Sequence, residues 1–268
     1  MRIRPAAVAG QFYPHSPLEL RSFIDQAMHV ARHNLSTNFS SPKALIVPHA
    51  GYIYSGQTAA YAYAAVKNTG IKRVVLFGPA HRVAFYGVAL PDSEAFATPL
   101  GEVLLDREGM QEAQTLPHIG VNDAAHVLEH SLEVQLPFLQ AAFEDIELIP
   151  LCIGSVEADH VAEIMERLWG DKDTLFVISS DLSHFHPYEE ARELDRQSIE
   201  LILKMQADLS HEQACGATGI NALLTVAKKR GMQARLLDCC NSADTAGDKN
   251  GVVGYASVAF FDLEAGHE

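Results

Sequence analysis

The apolar residues of this chain gather in short blocks that end abruptly in polar or turn-forming residues. The blocks at 43–47, 73–77 and 175–179 run into Pro48-His49-Ala50-Gly51-Tyr52, Gly78-Pro79-Ala80-His81 and Ser180-Asp181-Leu182-Ser183-His184. Runs of this length, bounded by turn signals, fit strands covered on both faces. Further strand patterns fall at 86–90, 101–105, 147–153, 233–238 and 252–261. Helical patterns alternate with them. Ser16-Pro17-Leu18-Glu19 opens a helix to about His33, with Ser16 as cap, Pro17 at the first position and Leu18, Phe23, Ile24, Met28 and Val30 as its apolar side. Others are predicted at 56–67, 106–115, 157–168, 187–205 and 220–230, and one begins at Glu129-His130 with Leu132, Leu136, Leu139 and Phe143 on one face. This alternation predicts an α/β fold, a single domain over residues 1–268 with a central mixed, largely parallel sheet flanked by helices. Only 34–42 reads as a linker. Residues 116–128, the longest irregular stretch, are a candidate lid.

Ligands of open α/β sheets bind beyond the carboxyl ends of the strands, so the three blocks bring His49, His81 and His184 to one rim. Two imidazoles at neighbouring strand ends begin a transition-metal site, although either ring could instead cap a turn carbonyl. Asp181 and His184 are three apart and can share a turn, the carboxylate orienting the ring or serving as a base, unless Asp181 caps a helix. Glu129 and His130 precede a helix and could cap it or handle protons at the site. Cys215 lies beside a helix start, where the helix dipole lowers a thiol pKa, with an inert buried thiol as the alternative. Cys152 reads as core. Cys239 and Cys240 point to opposite faces of a strand, so at most one could face the site. His186 and Tyr52 are reserves, and His118, His160 and His211 read as surface residues.

Composition narrows the partners. Twenty Lys and Arg against 34 Asp and Glu leave a net charge of −14, with no gathered basic patch, which argues against nucleic acid and anionic membrane. Four Cys without a C-x-x-C pair are no disulfide framework. No apolar h-region opens the chain and no run approaches ~18 apolar residues, so the expectation is a soluble, cytoplasmic protein.

Six motifs in order carry a resemblance over nearly the whole chain: Val8-Ala9-Gly10-Gln11-Phe12-Tyr13-Pro14, Pro48 to Tyr52, Gly78 to His81, Glu129 to Pro137, Ser179-Ser180-Asp181 with His184, and Cys215-Gly216, closed by Gly254-Tyr255-Ala256-Ser257. The sequence resembles the MEMO-like family, also called AmmeMemoRadiSam system protein B, whose fold is similar to that of the class III extradiol dioxygenases. The resemblance implies a pocket of His49, His81, Asp181, His184 and Cys215, with His49, His81 and Cys215 as metal ligands. It implies Fe(II) first, with Cu or Zn as alternatives, and redox or oxygen-dependent chemistry on a small or peptide-borne substrate. Asp181, His184, His130 and Glu129 would then be the proton-handling groups. Genomic association within the family implies a link to radical SAM and AMMECR-type proteins. A thiolate ligand departs from the two-His, one-carboxylate set of oxygen-activating ferrous sites and shifts preference toward Cu(I), Zn(II) or an iron site of altered potential, whereas Asp181 as third ligand would make the site look more like the dioxygenases. Two rivals follow: a zinc-dependent hydrolase, and a non-enzymatic module that binds a peptide in the same pocket.

Overall fold

A computed structural model describes residues 1–35, 40–66 and 70–262. Among them the strands are β1 Ile3–Arg4, β2 Ala44–Val47, β3 Arg73–Pro79, β4 Val88–Leu90, β5 Ala95–Thr98, β6 Gly101–Leu105, β7 Ile119–Val121, β8 Glu147–Ile153, β9 Thr174–Ser179, β10 His184–His186, β11 Gln233–Asn241 and β12 Val252–Phe261. The helices are α1 Pro17–Asn34, α2 Tyr52–Ala65, α3 Arg107–Ala113, α4 Asp123–Val127, α5 Leu136–Ala142, α6 Ala158–Arg167, α7 Tyr188–Leu203 and α8 Ala217–Lys229.

One sheet joins the strands in the order β1-β5-β6-β8-β3-β9-β2-β12-β10, with β11 added along β12 and β4 and β7 attached to β8. Its middle, β6-β8-β3-β9-β2, is parallel throughout, and antiparallel pairs flank it. The fold is therefore the expected mixed, largely parallel α/β sheet with helices packed on it. The central strands are buried along nearly their whole length, from Ala44 to Val47, Val74 to Phe77 and Leu175 to Ser179. Such strands are Val/Ile/Leu-rich runs without alternation because both faces are covered.

β9 lies between β2 and β3, with Val47 opposite Ser179 and Phe77 opposite Ile178. The three chains therefore leave the sheet side by side, carrying Pro48-His49, Ala80-His81 and Ser180-Asp181 to the same rim.

Several local expectations are corrected. In α1 the buried face is Leu20, Ile24, Ala27, Met28 and Ala31, whereas Leu18 and Val30 are exposed. Helix α1 extends to Asn34, and the rest of the expected linker includes 36–39, which lie outside the described residues. Helix α2 begins at Tyr52, four residues early, because Gly51 turns directly into it; the expected end at Lys67 also lies outside the described residues. The 129–136 stretch starts as a tight 3-10 turn at Glu133–Gln135 before α5. Residues 116–128 are not irregular. They contain β7, paired in parallel with β4, and α4, whose buried His126 ring bonds to the Ala89 carbonyl at 2.9 Å. The segment after Asp181 is a strand, β10, antiparallel to β12, and not a helix.

Candidate metal centre

Three imidazoles meet at the rim. One ring nitrogen from each of His49, His81 and His130 lies within 4.8 Å of the other two. Ring centroids are 5.2 Å apart for His49 and His81, 5.5 Å for His49 and His130, and 4.6 Å for His81 and His130. His130 arrives from the segment before α5, which packs against the end of β3 because position 78 is glycine. A Cβ at Gly78 would stand 2.6 Å from Ser131 Oγ and 2.9 Å from Leu132.

Hydrogen bonds fix two of the three rings. Ser179 Oγ donates its one proton to the Ser131 carbonyl at 2.6 Å and accepts from Gln135 Nε2 at 2.8 Å. His49 Nδ1, 2.9 Å from the same oxygen, must then be the donor, so its Nε2 carries the lone pair. Gln135 is itself oriented by Tyr63, whose hydroxyl donates to Oε1, and by the Pro48 carbonyl. His81 Nδ1 lies 3.0 Å from Glu129 Oε1, an acceptor when ionised, which leaves the His81 Nε2 lone pair to the cluster. A histidine whose second nitrogen donates to a carboxylate or hydroxyl is the arrangement found behind metal ligands. His130 differs. Its Nδ1 lies 3.3 Å from Glu129 Oε1 but off the line of a hydrogen bond, and that buried atom has no partner.

The electrostatics keep the pocket nearly free of positive charge. Burial, helped by His81 and His130, pushes the His49 pKa well below the ordinary imidazole value, and burial lowers His130 to about 4. His184 is also pushed down by burial. Burial alone would raise Glu129, but bonds from the His81 ring and from the His81 and Ser131 backbones outweigh it and hold the acid at about 2. Asp181 goes the other way, raised by burial to about 7 although the His49 and Ala50 N–H groups favour its ionised form. His49, His130 and His184 are thus held neutral near pH 7, beside one firm carboxylate.

The sequence-predicted residues thus converge, with new partnerships. Asp181 does not orient His184 and caps no helix. It accepts from His49 N at 2.7 Å, holding the turn that carries His49, and its Oδ2 is 4.0 Å from His49 Nε2. His184 is half-buried on β10, near enough to His49 to depress its pKa. Glu129 both caps His130 N and Ser131 N and buttresses His81. Cys215 Sγ sits 3.4 Å from His49 Nε2 and accepts from Asp181 N at 3.3 Å. Its thiol is not lowered by the start of α8. Burial, with Asp181 beside it, raises it to about 12, because desolvation of a thiolate outweighs a helix dipole here. A divalent cation in the cluster would reverse that balance.

Sequence reasoning missed Ser179, Gln135 and Glu133. Glu133 and Gln135 are fully buried polar residues inside the apolar run 132–139, a signal that something polar must meet them. Phe12, whose ring lies 4.6 Å from that of His130, was also passed over.

A rim cluster of three imidazoles on a mixed α/β sheet defines a class, α/β proteins with a histidine-lined pocket at the strand ends. Comparison with known proteins narrows it. The family model described as Memo-like protein matches residues 4–259. A MEMO1 family protein of Methanosarcina barkeri is 37% identical over 271 residues, covering 96% of this chain and 99% of its own length. Those of Thermoplasma acidophilum and Aquifex aeolicus are 37% and 36% identical, over 95% and 97% of this chain and 97% and 100% of theirs. The chain belongs to the Memo-like family. Among the described residues, no helix is long and apolar enough to cross a membrane.

Proposed function

We propose that this chain is a metal-binding protein whose rim cluster holds one transition-metal ion, iron first, with copper or zinc as alternatives. His49, His81 and His130 would supply nitrogen and Cys215 sulfur. The carrying observation is the pair of rings held through Nδ1, His49 and His81, grouped with a third imidazole so that one ring nitrogen of each lies within 4.8 Å of the other two. The unpartnered His130 Nδ1 and the thiol beside His49 Nε2 also fit an ion of borderline softness. When bound, such an ion supplies Lewis acidity or one-electron redox capacity at the rim.

The chain's own residues would orient and move protons. Glu129 and Ser179 hold His81 and His49. Asp181, with an acid of about 7, can hold or release a proton at Oδ2 near neutrality, and neutral His184 can accept one. The substrate would be a small molecule or a peptide-borne group, handled by redox or oxygen-dependent chemistry like that of the extradiol dioxygenases. A cytoplasmic setting and functional links to radical SAM and AMMECR-type proteins complete this reading.

Zinc-dependent hydrolysis is a second reading, favoured by one observation: three imidazoles near an acid of about 7 resemble the donor set and base that activate a metal-bound water.

The test is metal content after anaerobic purification, with His81→Ala and Cys215→Ala beside the native protein. Near-stoichiometric iron or copper, lost on substitution, supports the redox reading. Zinc together with ester or amide cleavage supports the hydrolase. No metal under any condition, with the fold intact, overturns both, and stoichiometric peptide binding unaffected by His49→Ala would then favour a binding module.

A further inference from the structure

The N-terminal stretch before α1 is built into the site. Val8 accepts from Gln11 N and Phe12 N at 3.0 and 2.9 Å, and Gly10, at φ +83°, donates to the Tyr13 carbonyl at 2.7 Å. This tight turn, whose left-handed corner suits glycine, aims the Phe12 ring at the pocket. Its anchor is Glu133, fully buried, which accepts from Arg4 Nη1, Ala7 N, Val8 N and the Tyr13 hydroxyl. Arg4 in turn donates to the Glu129 carbonyl at 2.7 Å, the residue next to His130.

Phe12 touches two sides of the cluster. Its carbonyl accepts from Tyr52 N at 2.7 Å, closing the turn that carries His49, and its ring lies 4.6 Å from the His130 ring at 39°. His130 is the one ring of the three without a hydrogen bond to fix it. Its ring neighbours are Phe12, tilted at 39°, His81, 4.6 Å away and stacked, and His49, 5.5 Å away and edge-on, while the Glu129 carboxylate lies 3.3 Å from its Nδ1 off the line of a hydrogen bond.

We infer that Phe12 is a positioning residue for His130, its ring packed at 4.6 Å doing for the third imidazole what Ser179 and Glu129 do for the first two. This rests on the metal-binding reading above. Two consequences follow. His130 is the most easily displaced donor, since a ring contact constrains tilt but neither rotation nor tautomer. The donor set also depends on a segment more than 110 residues away in sequence.

The test uses Co(II) as the probe, because its visible bands report coordination number and donor type, on the whole chain as wild type, Phe12→Leu, Phe12→Tyr and His130→Ala. Phe12→Leu keeps bulk and the backbone bond to Tyr52 N but removes the ring face. Expected are a wild-type Co(II) spectrum, a Phe12→Leu spectrum shifted toward that of His130→Ala with about 10-fold weaker binding, and recovery in Phe12→Tyr. The thermal midpoint of metal-free Phe12→Leu, read in parallel, should not track that loss. A wild-type spectrum and affinity in Phe12→Leu would overturn the role of Phe12 alone. Failure of the wild type itself to bind cobalt would count against the metal reading and carry this inference down with it.

Discussion

The two ends of the central strands bury polar groups equally well and use them differently. At the amino ends, Lys43 is buried, and its Nζ donates to the Asp171 and Thr174 carbonyls while lying over the Trp169 and Phe176 rings. Arg73 there pairs with Asp106, whose carboxylate also caps Gly109 N. Each of these charges is met. At the carboxyl ends, His49 and His81 are held just as firmly through Nδ1, yet their rings gather with His130 so that one ring nitrogen of each lies within 4.8 Å of the others, and the Cys215 thiol lies 3.4 Å from His49 Nε2. Buried polarity does not separate structure from function here. Saturation does: a strand end that satisfies its polar groups is a clasp, and one that fixes imidazoles through one nitrogen and leaves the other free is, on the proposed reading, a receptor for a metal ion.

That contrast can be broken from either side. The largest effect is expected from His81→Ala, which removes an open donor: metal affinity should fall by at least about 100-fold, beyond the range seen for supporting residues, as competition with a chelating dye would show. Glu129→Gln leaves the donor but loosens its support, so affinity should fall about 10- to 100-fold.

The same residue carries an acid signature. Because the folded Glu129 acid lies at about 2, below its ordinary value of 4.5, its stabilisation is complete above 4.5 and is lost as pH falls toward 2. In metal-free protein, the stability gap between wild type and Glu129→Gln should therefore narrow below pH 4.5 in urea titrations. At the opposite end, Lys43→Met removes the hydrogen bonds to the Asp171 and Thr174 carbonyls and should cost about 1–3 kcal/mol with metal affinity unchanged. A matching loss of metal binding would erase the distinction between the two ends.

A further test concerns Asp181. Its acid is raised to about 7, so folding binds a proton there and stability declines as pH rises from about 4 to 7. Asp181→Asn, which can still accept from His49 N, should flatten that decline in metal-free protein. A variant as pH-sensitive as the wild type would show that Asp181 ionises freely in the folded state.

Much of the fold was legible because the central strands are covered on both faces and write themselves as unbroken apolar blocks; β8, predicted at 147–153, runs from Glu147 to Ile153. The edges were not. β1 and β10 are two and three residues long, too short to show a period, and β7 is three residues with exposed Val121. They exist because neighbouring strands offer partners, which is tertiary information.

The site divides the same way. His49, His81, Glu129, His130, Asp181 and Cys215 all stood out by residue type at a strand or helix end, and they do come together. Who bonds to whom was hidden. Asp181 was expected to serve His184, three residues on, but serves His49, 132 positions away, while Glu129 serves His81 across 48. Contacts of that range are set by strand order, and no local spacing reveals them. Phe12 was hidden more deeply, since an aromatic residue in a turn carries no mark of what it will face.

The most direct measurement is long-range 15N–1H correlation of the histidine side chains in chelator-treated protein, before and after one equivalent of zinc. Expected are Nδ1–H tautomers with unprotonated Nε2 at both His49 and His81, and movement of those Nε2 resonances, together with a His130 ring nitrogen, when zinc is added. An Nε2–H tautomer at either residue, or resonances that zinc leaves unmoved, would contradict a rim of open lone pairs built to receive a metal.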